Sequence, residues 1–129
     1  MSDLIEQPEK GSVIQAAHLD LHPSYWPEEI RRTGAQYAKA KEAYTLLKEL
    51  KKPTMIRLRI EIMERNPGLS KSDAEDRVYL TTAYREYTTT LAEAEKNKSL
   101  WESRYAAAKA EHESARTYEA SRRAASYRT

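Results

Sequence analysis

Three patterns in this 129-residue chain carry side chains able to do chemistry. His18-Leu19-Asp20-Leu21-His22 sets two imidazoles and a carboxylate on alternate positions, which an extended backbone turns to one side in a geometry able to hold zinc. No further ligand of the usual kind is nearby and Pro23 follows directly, so the expectation is an ordinary polar arm and no metal. Glu61 and Glu64 stand three apart on a helix-compatible segment, but acid pairs of that kind are ordinarily solvated. The third pattern is basic. Lys41, Lys48 and Lys52 follow one helical stripe, Arg57 and Arg59 lie just beyond Pro53, and Arg116, Arg122, Arg123 and Arg128 crowd the C-terminal segment against Glu119. Such stripes neutralise phosphates, and interleaved tyrosines stack on unpaired bases. The same stripes also read as a solvated face turned toward the acidic residues 1–30 of this or another subunit, or as a seat for an acidic protein.

Catalytic patterns are missing. Neither common glycine-rich phosphate loop occurs, nor a nucleophile elbow, nor a His-Glu zinc helix, and the expectation is a protein that is not an enzyme and needs no cofactor. The chain has no cysteine, which excludes disulfides, zinc-thiolate sites, iron–sulfur clusters and thiol nucleophiles. No run approaches the ~18 apolar residues of a membrane helix, so no membrane association is expected. The start, Met1-Ser2-Asp3-Leu4-Ile5-Glu6, is acidic and interrupted, unlike a signal peptide. No helix–turn–helix, zinc finger or RNP motif points to sequence-specific readout.

The formal net charge of +2 conceals a separation. Residues 1–30 carry six acids against Lys10, a net of −5. Residues 31–59 carry nine bases against Glu42 and Glu49, a net of +7. Residues 60–77 net −2 and residues 78–129 net +2. Charge held apart in this way suits electrostatic capture of a partner.

The elements that position these residues are helices. Only 3 Gly and 5 Pro leave few turns. Residues 1–23, punctuated by Pro8, Gly11 and Pro23, read as an acidic arm, extended or with a short helix near Ser12–His18. The first long helix starts after Ser24, with Pro27 tolerated in its first turn and Glu28 and Glu29 set against the dipole. Pro53 stops or kinks it. Residues 56–62, Ile-Arg-Leu-Arg-Ile-Glu-Ile, alternate like a strand, yet no other segment offers a strand partner, and a helix from Thr54 to about Arg65 is preferred. Asn66-Pro67-Gly68 is a turn. Ser70-Lys71-Ser72-Asp73-Ala74-Glu75 holds two overlapping capping boxes and opens a short helix through Tyr79, which breaks near Thr81-Thr82. From Ala83 to about Ser126 no Gly or Pro interrupts a helix of roughly 65 Å.

Both long helices carry a seam of 3.5-residue period. The first runs Trp26, Ile30, Thr33, Tyr37, Ala40, Tyr44, Leu47. The second runs Leu80, Tyr84, Tyr87, Leu91, Ala94, Lys98, Trp101, Tyr105, Ala108, His112, Ala115. Nine Tyr and 2 Trp with no Phe therefore point to a narrow helix-on-helix interface whose hydroxyls reach water. The fold expected is all-α: a long antiparallel helical hairpin over 24–129, its first arm kinked, preceded by the arm 1–23. A layer this thin gains from self-association, so a homo-oligomer is expected.

The C-terminal half, with Tyr84 and Tyr87, Leu91 and Ala94, Trp101, and then Arg116-Thr117-Tyr118-Glu119-Ala120-Ser121-Arg122-Arg123, resembles small helical accessory proteins of tailed bacteriophages. The resemblance covers roughly residues 40–125 and does not extend to the acidic arm. It implies an early-region accessory protein of the host cytoplasm, of a kind often encoded near single-strand annealing and single-strand-binding genes, a neighbourhood that assigns no chemistry by itself. The expected role is a self-associating protein that binds single-stranded nucleic acid or a DNA-processing partner through its basic helix surfaces. Two other readings stand beside it. One is a virion structural or adaptor protein that uses its arm in assembly. The other is an inhibitor of a host enzyme.

Overall fold

The computed structural model describes residues 22–127, which form four helices in chain order. They are α1 (Tyr25–Glu49), α2 (Lys51–Arg65), α3 (Lys71–Val78) and α4 (Thr82–Tyr127). The expectation for residues 1–21, an acidic arm with a short helix near Ser12–His18, lies outside the described residues, as do His18, Asp20 and Arg128. The alternating segment 56–62 is helical, as its lack of a strand partner required.

Local chemistry accounts for each boundary. α1 opens with Pro27 and Glu28 in its first turn, where a missing N–H costs nothing and a carboxylate meets the positive end of the dipole. It ends before Pro53 rather than at it. Pro53 cannot donate to the Glu49 carbonyl, so the ladder is interrupted one turn upstream. Leu50 N–H is shared between Leu46 O at 3.1 Å and Leu47 O at 3.2 Å, and α2 restarts at Lys51 with Pro53 inside its first turn. Asn66 caps α2 by donating its backbone and side-chain N–H to Ile62 O, at 3.0 and 2.9 Å. Gly68 at φ 93° supplies the left-handed residue that reverses the chain. Ser70 is the N-cap of α3, its hydroxyl accepting from Asp73 N–H at 3.1 Å. Thr81 starts α4: its hydroxyl donates to Val78 O at 2.7 Å and accepts from Tyr84 N–H at 3.1 Å.

The described residues fall into two compact units, 22–39 with 98–127, and 40–97. In the first, α1 and α4 run antiparallel: Trp26 lies by Ala115 and Arg116, while Tyr37 stacks on Tyr105 with centroids 6.1 Å apart. Its core is Trp26, Thr33, Trp101 and Ala108. Thr33 is buried because its hydroxyl donates to Glu29 O at 2.7 Å, which leaves no unpaired group inside. Gly34 lets the Tyr105 ring lie directly on α1.

In the second unit Leu58 of α2 packs with Ala74 and Val78, one turn apart on α3, and Ala40 is buried on α1. Tyr44, Tyr84 and Tyr87 are half-buried, as an aromatic seam requires. Leu80 is not part of that seam. It is 80% exposed, because the turn at 79–81 carries it outward before α4 begins. The Tyr87 hydroxyl finds protein rather than water, donating to Leu47 O near the end of α1.

Candidate functional site

The basic residues named from the sequence fall in both units. Within the 40–97 unit, the end of α1, the start of α2 and the last turn of α3 enclose an open groove of about 430 Å³. Lys48, Lys52 and Arg59 line it, joined by Lys51, which the stripe reading missed. Met55, Ile56, Val78 and Tyr79 supply an apolar wall, and Glu49 and Glu75 are its two acids. Arg57, two residues from Arg59 and so on another face of α2, is outside the groove and pairs with Glu61 at 3.0 Å. Lys41 is exposed on α1 and lines neither the groove nor the cleft described below.

The break between α1 and α2 makes this groove. An unbroken helix carries Lys48 and Lys52 on one ridge, and the restart at Lys51 brings Lys51 and Lys52 to the same concavity. The α2–α3 turn then folds Val78 and Tyr79 against Ile56. Tyr79 is 54% exposed and meets Tyr84 edge-on at 5.0 Å, so the hydroxyphenyl ring is held upright while staying accessible. Arg59 reaches Glu75 at 3.5 Å through Nη1, whereas its buried Nε has no acceptor among the described residues. A buried donor left unpaired costs about 1–3 kcal/mol, more when charged. Lys48 also lies over the Tyr44 ring, Nζ 5.2 Å from its centroid. Beside the groove, burial and then the neighbouring Tyr84 push the Tyr87 phenol above its ordinary 10.0. The hydroxyl therefore keeps its proton and its bond to Leu47 O.

The unit 22–39 with 98–127 holds the other basic residues. Arg116 and Arg123 line a cleft of about 610 Å³ with His22, Trp26 and His112, and Glu113 and Glu119 line it too. Arg122 is exposed outside it. The Trp26 indole N–H is buried with no acceptor among the described residues. His112, a member of the second seam, is half-buried here. His22 Nδ1 lies 2.7 Å from the Ser24 hydroxyl and accepts from Ser24 N–H at 3.2 Å.

The remaining seam residues act as structure. Trp101 is 1% exposed with the Arg32 guanidinium 5.7 Å above its ring, and Tyr105 carries Lys109 Nζ at 4.2 Å. Among the described residues no group of three His, Asp or Glu is placed to hold a metal ion, and no helix is long and apolar enough to cross a membrane. Missed from the sequence were Lys51, Tyr79 and Glu75. Only the adjacency of Lys51 to Lys52 was a signal, since the other two arrive through the turn at 66–70. Comparison with protein-family models, with curated proteins and with solved structures finds no match.

Proposed function

We propose that this chain is a non-enzymatic accessory protein that binds single-stranded nucleic acid through the groove of its 40–97 unit. The observation that carries this reading is the pairing of Lys48, Lys51, Lys52 and Arg59 with an accessible Tyr79 in one concavity. Cations track a phosphate backbone, and an exposed ring beside them stacks on an unpaired base whatever its sequence. Self-association belongs to the same proposal, supported by Leu46 and Leu50 standing more than half exposed near the end of α1.

The test is fluorescence anisotropy of a labelled oligothymidylate across a salt series. With four cations on phosphates, log affinity falls against log salt with a slope of about −3, roughly fiftyfold between 50 and 200 mM. Lys48→Glu combined with Lys52→Glu abolishes binding. Arg57→Glu, which lies outside the groove, leaves it unchanged. Tyr79→Ala costs about 1–3 kcal/mol of affinity. Undetectable binding by the wild type at low salt, or equal loss in the Arg57 variant, overturns the reading.

A further inference from the structure

The groove's proposed role leaves the cleft of the 22–39 and 98–127 unit unused. The packing face of α4 changes character there. Trp101, Tyr105 and Ala108 face α1, and the next turns along the same side bring His112, Arg116 and Arg123. A face that went on packing against a helix would stay apolar, whereas this one presents hydrogen-bond donors.

The donors are of one kind. Arginine has no acceptor, and neither has the Trp26 indole, whose N–H is buried without a partner among the described residues. His22 comes from the opposite wall, where its Nδ1 accepts from Ser24 N–H and leaves Nε2 to donate, and His112 comes from α4. Among the described residues no carboxylate lies within ion-pairing distance of Arg116 or Arg123. The charged and titratable groups lining the cleft are Glu113, Arg116, Glu119 and Arg123 with the two histidines. The acids and arginines balance in number.

We propose that this cleft binds a tetrahedral oxyanion, such as a phosphate monoester or sulfate, through Arg116, Arg123 and the Trp26 indole N–H. Its volume, about 610 Å³, accommodates such a group together with the small organic part that bears it. The proposal does not depend on what the groove of the 40–97 unit binds.

The experiment is a sulfate titration of the ¹⁵N-labelled full chain, following the two indole N–H resonances, with chloride at equal ionic strength as reference. The expected result is a saturable shift of the Trp26 resonance, while Trp101 stays still. Arg116→Gln and Arg123→Gln, both at exposed positions, keep the helical spectrum and each weaken binding about tenfold. Inorganic phosphate and oligothymidylates with a 5′-phosphate or a 5′-hydroxyl then identify the source. A response to the phosphorylated oligomer alone assigns the ligand as a strand end, and a response to inorganic phosphate alone assigns it as a free anion. A Trp26 resonance unmoved by sulfate overturns the proposal, as does unchanged affinity in both arginine variants.

Discussion

The two compact units draw on the same pair of long helices yet are held together by different means. In 22–39 with 98–127, α1 and α4 are unbroken, and buried bulk does the work: Trp26 and Trp101 fill the space between backbones that Gly34 and Ala108 allow to approach. In 40–97 the break ahead of Pro53 and the 66–70 and 79–81 turns leave many helix ends, and the buried side chains are smaller: Ala40, Leu58, Ala74 and Val78. Much of that unit's order comes from satisfied helix termini, through Tyr87 on Leu47 O, Asn66 on Ile62 O, and the Ser70 and Thr81 caps. The difference teaches where a binding groove can form. Unbroken helices bury their seam against each other, whereas a break turns neighbouring lysines into a shared concavity. Their linings differ too: in the groove three lysines and one arginine outnumber two acids, whereas in the cleft two arginines are matched by two acids.

The contrast in bulk is tested most severely by truncation. Trp101→Ala removes the largest fully buried side chain and should cost about 3–5 kcal/mol, enough to unfold much of a marginally stable chain at 37 °C. Leu58→Ala, the largest comparable truncation in the α2–α3 pair, should cost about 2–5 kcal/mol, at the lower end if the thin layer closes over the gap. Urea denaturation followed by circular dichroism ranks the two. A Leu58 variant destabilised more than the Trp101 variant would show that buried bulk does not divide the units in this way.

The contrast in hydrogen bonding is tested by Tyr87→Phe, which keeps the ring in the seam and removes the donor to Leu47 O. The expected loss is about 0.5–1.5 kcal/mol, the worth of one net intramolecular hydrogen bond. Its pH signature is more specific. The Tyr87 phenol is raised above 10.0 in the folded chain by burial and by Tyr84, so the unfolded chain releases this proton first. The stabilisation is fully present below the unfolded value and is lost as pH rises through the higher folded one. Wild type minus Tyr87→Phe stability should therefore be flat at neutral pH and shrink above about pH 10. A difference that does not change across that range would sink the assignment.

Periodicity and capping chemistry made most of the helices readable. Trp26, Tyr37, Trp101 and Tyr105 fall on 3.5-residue seams because helix packing imposes that spacing, and they are buried or half-buried where the seams place them. Ser70 and Thr81 could be read because an N-cap is a local event involving three or four residues. Leu80 could not, since apolar type and seam spacing both favoured it and only the geometry of the 79–81 turn carries it into solvent. The groove was half legible for the same reason. Lys48, Lys52 and Arg59 lie close in sequence, but Tyr79 and Glu75 are delivered by a chain reversal at Gly68, and the sequence does not state where a reversal will dock. Arg57 and Arg59 look equivalent as charges along the chain, and a 3.6-residue period sends one to Glu61 and the other toward Glu75.

The finest test bears on how closely the unbroken helices approach. Gly34 lies within α1, where glycine costs about 1 kcal/mol relative to alanine, so Gly34→Ala carries an intrinsic gain. Against it stands the Tyr105 ring, whose Cε1 would lie 3.0 Å from the new Cβ. That ring is stacked on Tyr37 at 6.1 Å, with Lys109 Nζ 4.2 Å from its centroid, so a sideways shift disturbs both contacts. A shift of a few tenths of an ångström relieves the contact because the obstacle is the far edge of a side chain rather than backbone. The two effects should nearly cancel, leaving stability within about 0.5 kcal/mol of wild type, with the Tyr105 ring resonances moved. Tyr105→Leu removes the obstacle and should let the alanine gain appear in full, measured as the stability of the Gly34→Ala, Tyr105→Leu double variant minus that of Tyr105→Leu alone. If alanine destabilises equally with and without the ring, the close approach is not what glycine provides at this position.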